Sequence, residues 1–162
     1  MVSSNAFSNI SADKSTQTPY DQWSLWSGDH IGLLVIEPLT ERQTELADFQ
    51  IVAANPTMMR SGLFLSDSPV GQPLGAVFSG RQADEQRRCY QQCLNGQITP
   101  LIVSTQTSDR ASTDESVRWW QLTPSIATST ATSPARLVIV ATDISQQQRA
   151  LHHSQTEERT LR

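Results

Sequence analysis

The chain has 162 residues and a formal net charge of -4, with 37% hydrophobic residues, which leaves room for one domain plus tails. With no basic tract to offset the acidic balance, nucleic acid is not an expected partner, and no apolar window approaches the ~20 residues that cross a bilayer. Residues 1–9 lack the positive start and apolar centre of a secretory signal, so a cytoplasmic protein is expected.

Residues 1–19 are rich in Ser, Thr and Asn with few large apolar groups, which predicts a disordered leader. Tyr20, Trp23 and Trp26 fall three apart and predict a short helical cap over residues 20–28. An aliphatic run over 30–37, ended by Pro38, reads as a first strand, and a polar link over 40–48 follows. A second strand over 49–53 meets Asn55-Pro56, where Asn can cap a helix and Pro can open it; that helix is predicted over 57–63. Turn residues at 66–71, with Gly71 in a second turn, lead to short helices carrying Leu74, Val77 and Phe78. A longer helix is predicted over 81–94, closed by Asn95-Gly96. Strands over 99–107, 116–123 and 136–143 follow, separated by polar loops at 108–115 and 127–133, and a polar helix over 145–162 ends the chain.

Asp48-Phe-Gln-Ile-Val-Ala-Ala-Asn-Pro56, Val70-Gly-Gln-Pro-Leu74, the helix end at Leu94-Asn-Gly-Gln97, Arg118-Trp-Trp-Gln-Leu-Thr-Pro124 and Val138-Ile-Val-Ala-Thr-Asp-Ile-Ser145 occur in this order. Together they resemble a PAS domain, with Ser145 where that family usually has Thr. The resemblance covers residues 29–145, with 146–162 as a signalling helix. It implies an α+β fold: a five-stranded antiparallel sheet in the order 2-1-5-4-3, short helices on one face and a C-terminal output helix. Asn55, Pro56, Gly71 and Gly96 are its structural positions.

In the last predicted strand Leu137, Ile139 and Ala141 alternate with Val138, Val140 and Thr142, so both faces are largely apolar, as are those of the first strand. The family's helices cover one face only. The other then needs the N-terminal aromatic turn, the exit helix or a second copy, which makes a homodimer the expected assembly. Trp119 and Trp120 must point to opposite faces. By the resemblance, Trp120 and Leu122 with Met58, Phe78 and Tyr90 form a candidate ligand cavity, and Trp119 joins Trp23, Trp26, Val138 and Val140 on the outer, dimer-forming face. Asp143, Ile144 and Ser145 sit where sheet becomes exit helix; a carboxylate or hydroxyl there can cap the helix, and the resemblance implies that this junction transfers signals.

No cofactor is expected. The cysteine motif of flavin photoreceptors is missing around Cys89, and residues 81–94 contain no His to ligate haem. Cys89 and Cys93, four apart with no further ligands nearby, read as reduced helix cysteines with no metal, and His152 and His153 as solvated. A small molecule held by shape and apolar contact remains the candidate ligand. Nothing sets a base beside a nucleophile, so an enzyme is not expected. The leading expectation is a sensory and dimerisation module passing a signal through its last helix to a partner such as a histidine kinase or diguanylate cyclase. The alternative is a standalone small-molecule-binding protein.

Overall fold

The computed structural model describes residues 30–39, 48–105, 117–127 and 135–161. The expected leader, the aromatic cap with Trp23 and Trp26, and most of the polar link and loops lie outside the described residues. The elements in chain order are β1 (Ile31–Pro38), β2 (Phe49–Ala54), α1 (Pro56–Met59), α2 (Leu74–Val77), α3 (Gly80–Leu94), β3 (Leu101–Ser104), β4 (Trp119–Ala127), β5 (Arg136–Asp143) and α4 (Ser145–Thr160). The strands form one sheet in the order β2-β1-β5-β4-β3, antiparallel throughout.

One face of the sheet carries Leu34, Ile36, Phe49, Ile51, Trp120, Leu122, Leu137, Ile139 and Ala141, which pack with Met58, Leu74, Val77, Tyr90 and Cys93 from the helices into a single core. Each fully buried aliphatic side chain contributes about 1.5–3 kcal/mol to folding, so the strand alternation seen in the sequence fixes which face meets the helices. In β2 the pairing steps from Ile51 to Ala53 while β1 steps only from Ile36 to Val35, so Val52 is an extra residue and the strand bulges. The bulge leaves Ala54 packed against the core.

Asn55 holds the strand-to-helix corner. Its Oδ1 accepts the Leu33 and Met58 amide N–H groups at 2.9 Å each, and its Nδ2 donates to the Ile31 carbonyl at 3.0 Å. It therefore caps α1 and ties it to β1, with Pro56 opening the helix as expected. Gly32 lets the two come close, because a Cβ there would stand 3.1 Å from the Met58 sulfur and from the Ala141 Cβ.

Of the boundaries that differ from the sequence expectation, three have a clear local cause. The first helix stops at Met59 instead of continuing to Leu63, because Ser61 Oγ accepts the Leu63 amide and Gly62 takes φ +79°, turning the chain away. The β3 strand begins only after Pro100, which has no amide to pair. The β4 strand runs past Pro124 to Ala127. Even-numbered β4 residues direct their backbone toward β3, as the Thr105 N–H to Arg118 carbonyl bond shows. Since β3 starts opposite Leu122, the nitrogen of Pro124 faces no partner strand and its missing N–H costs nothing.

The end of α3 is a Schellman motif: Gly96 N–H donates to the Cys93 carbonyl and Gln97 N–H to that of Gln92, with Gly96 at φ +88°. Gly71, at φ +85°, bonds its N–H to the Ile51 carbonyl and sets the 71–73 segment against the free edge of β2.

Candidate functional site

Where β5 ends, the chain turns directly into α4, and a compact polar network joins the two to the start of β4. Arg118 and Asp143 lie on the helix-facing side of neighbouring strands, and Arg118 Nη2 donates to Asp143 Oδ2 at 2.8 Å. The other oxygen, Oδ1, accepts the Ser145 backbone N–H at 2.9 Å and its hydroxyl at 2.6 Å. Ser145 Oγ in turn accepts the Trp119 N–H at 2.9 Å, and Ile144 N–H donates to the Trp119 carbonyl at 2.9 Å. Asp143 thus satisfies the first amide of α4 from outside the helix, while the Ser145 hydroxyl points back to β4 instead of capping the helix. Burial alone would raise the Asp143 carboxyl, but the bonds from Ser145 and from Arg118 outweigh it and hold it below the ordinary value. A polar cleft of about 570 Å³ opens beside this network, lined by Arg118, Asp143, Ser145, His30 and Arg149 among others.

The side chains of the network reach the core at Arg118. The Arg118 guanidinium lies 4.8 Å from the centre of the Trp120 ring, a cation–π stack, and the ring itself is completely enclosed. Trp120, Leu122, Met58, Phe78 and Tyr90 are all 0–1% exposed and share the one core. Tyr90 meets Phe49 edge-on, with ring centres 5.8 Å apart, and donates its hydroxyl to Gln86 Oε1 at 3.0 Å.

Trp119 stands half-buried on the opposite face of β4, as strand alternation requires. Val138 and Val140 are half-buried on that face too, Ile31 is 41% exposed and Val35 only 2%. The exit helix leaves the sheet at the junction: from Arg149 to Leu161 its residues are exposed, including Leu151 and Leu161. Cys89 and Cys93 are free, buried thiols raised above their ordinary value by burial, and Cys89 Sγ donates to the Thr99 carbonyl at 3.2 Å. His30, His152 and His153 are exposed. Among the described residues, no group of three or more His, Cys, Asp or Glu is placed to hold a metal, and no helix is long and apolar enough to cross a membrane.

Two features escaped sequence reading. Gln86 is fully buried in a helix whose surroundings in sequence are polar. Arg87 forks onto both oxygens of Asp48, at 3.1 and 3.2 Å, and reaches Asp84 at 2.7 Å, tying α3 to the start of β2.

This topology, with helices on one face and a C-terminal helix leaving the last strand, is that of the PAS fold. A family model described as PAS fold matches residues 47–149, more than half of the chain, and the chain belongs to that family. Among solved structures it is similar to a domain of an HTR-like protein from Haloarcula marismortui ATCC 43049, with 19% identity over 70% of this chain and 97% of that one and a TM-score of 0.47. It is also similar to a sensory box histidine kinase/response regulator from Burkholderia thailandensis E264, with 16% identity over 87% of this chain and 98% of that one, again at a TM-score of 0.47. No curated protein matches the chain.

Proposed function

We propose that the chain is a sensory module in which a small ligand held in the core around Trp120, Leu122, Met58, Phe78 and Tyr90 biases α4 through the junction of Asp143, Ile144 and Ser145. The observation that carries this reading is the unbroken chain of contacts from the Trp120 ring through Arg118 and Asp143 to Ser145. A change in the position of the indole alters the guanidinium above it, and that guanidinium shares a carboxylate with the first residue of the exit helix. The long exposed run of α4 fits a helix that meets a partner, such as a histidine kinase or diguanylate cyclase.

The half-buried apolar face around Trp119, Val138 and Val140 supports a homodimer, with Trp23 and Trp26 as further contacts. Replacing Val138 and Val140 together with Lys should convert dimer to monomer in sedimentation analysis. The signalling role is tested by Asp143→Ala in a protein carrying an output domain. Loss of stimulus response with a retained fold supports it, and normal regulation refutes it. Mass spectrometry of the denatured protein identifies any molecule that the core retains.

A further inference from the structure

Two buried nitrogen donors in the core have no acceptor among the described residues. The indole Nε1 of Trp120 and the amide Nε2 of Gln86 are enclosed without a hydrogen-bond partner, and both residues are 0% exposed. Both are buried where α3 packs on the sheet: Trp120 stands on the helix-facing side of β4, and Gln86 is buried on α3, which packs over β3 and β4. A donor removed from water without an acceptor bears its full desolvation cost, and such a group in a folded protein calls for a water or ligand to meet it. The other end of the Gln86 amide is satisfied by the Tyr90 hydroxyl. With the Gln86 amide turned this way, the unmet demand of both groups is for acceptors.

The surroundings restrict what can supply them. The core cluster is aliphatic, aromatic and thiol in character, with no cationic residue among its described members. Arg118, stacked on the Trp120 ring, is already neutralised by Asp143. A carboxylate or phosphate would be desolvated there without a counter-charge, whereas a neutral oxygen would not. We infer that the compartment between α3 and β4 takes a small, mostly apolar, neutral molecule whose carbonyl-type oxygen accepts from Trp120 Nε1–H and from the Gln86 amide. This rests on the ligand-binding reading above and specifies its chemistry. A recess of about 50 Å³ lies between Leu63, Ser79, Gln82 and Ser104, at the seam between α3 and β3. The 2.8 Å bond from Gln82 Nε2 to the Ser104 carbonyl, one helical turn from Gln86, latches that seam.

The test is a titration of the ¹⁵N-labelled chain with cyclopentanone and with methylenecyclopentane, in which the same ring carries CH2 in place of oxygen. The ketone should move the Trp120 indole N–H resonance, identified by its loss in Trp120→Phe, and the hydrocarbon should not. The ratio of ketone to hydrocarbon affinity should fall about tenfold in Gln86→Leu, equivalent to about 1.4 kcal/mol. Gln86→Leu keeps the volume and removes the donors, and it is compared in a Tyr90→Phe background so that no freed Tyr90 hydroxyl takes their place; this arm survives if Trp120→Phe fails to fold. An unchanged ratio, or an indole resonance that the ketone leaves in place, overturns the acceptor inference while a cavity selecting by shape alone still stands. Binding of neither probe at millimolar concentration overturns both.

Discussion

Ser145→Ala isolates the hinge between sheet and helix. The side chain is 6% exposed and its hydroxyl makes two bonds, accepting from Trp119 N–H and donating to Asp143 Oδ1. Alanine leaves the Trp119 amide without its acceptor. Asp143 keeps the Ser145 amide and Arg118, so its charge remains partnered. An unmet buried donor costs about 1–3 kcal/mol, against which alanine recovers about 0.5 kcal/mol of helix propensity. The expected net loss is about 1.5 kcal/mol, or about 6–12 °C in Tm for a domain near 100 residues.

Ser145→Thr retains the hydroxyl and should stay within about 0.5 kcal/mol of the parent. Urea and thermal unfolding of the three proteins, followed by circular dichroism, give the comparison. If Ser145→Ala unfolds with the parent, or Ser145→Thr falls as far as the alanine variant, the hydroxyl does not join β4 to α4 and the junction is held by backbone pairing alone.

Four further outcomes follow from the same contacts. The Asp143 carboxyl is held below its ordinary value, so its stabilisation is complete above the unfolded value of ~3.9 and is lost as pH falls through the lower folded value; the stability gap between the parent and Asp143→Asn should be flat from pH 7 to 5 and close below about pH 4, as urea melts at each pH will show. A Cβ on Gly75 would collide with the Arg87 guanidinium, so Gly75→Ala should break the fork onto Asp48 and cost about 1 kcal/mol net, and it should cost nothing further in an Arg87→Ala background. Gly96→Ala meets open space and pays only for φ +88°, about 1–2 kcal/mol by chemical denaturation. Cys89 and Cys93, both buried and raised, should resist iodoacetamide in the folded protein and react once it is unfolded in urea.

The parts legible in the sequence are those set by neighbours along the chain. Asn55-Pro56 opens a helix because the cap reaches only three residues ahead, and Asn95-Gly96 ends one because the Schellman bonds close within six residues. The alternation of residues 136–143 places Leu137, Ile139 and Ala141 in the core because side-chain direction follows from the pleat alone. What could not be read depends on register between distant segments. Arg118 and Asp143 are 25 residues apart and meet only because Trp120 pairs with Asp143 across β4 and β5; the Arg87–Asp48 fork spans 39 residues. The strand expected over 116–123 stops short of Pro124, and only the late start of β3 removes the cost of carrying it on past that residue. Ser145 was legible as a junction residue, but not that its hydroxyl bonds backward to the sheet.

The direction of that hydroxyl bears on how a signal could travel. An N-cap that bonds only within its own helix stabilises the helix but reports nothing about the sheet. Ser145 instead shares Asp143 with Arg118, and Arg118 rests on a core indole. The position of α4 is thus fixed by two groups that answer to different surroundings: the Trp119 backbone, which belongs to the sheet, and the Arg118 guanidinium, which belongs to the core. Under the proposed function, a ligand that moved the Trp120 ring would act on α4 through the second of these groups. Coupling of this kind requires two arrangements of the carboxylate with different helix positions. The polar cleft of about 570 Å³ lined by Arg118, Asp143 and Arg149 borders that carboxylate where α4 begins.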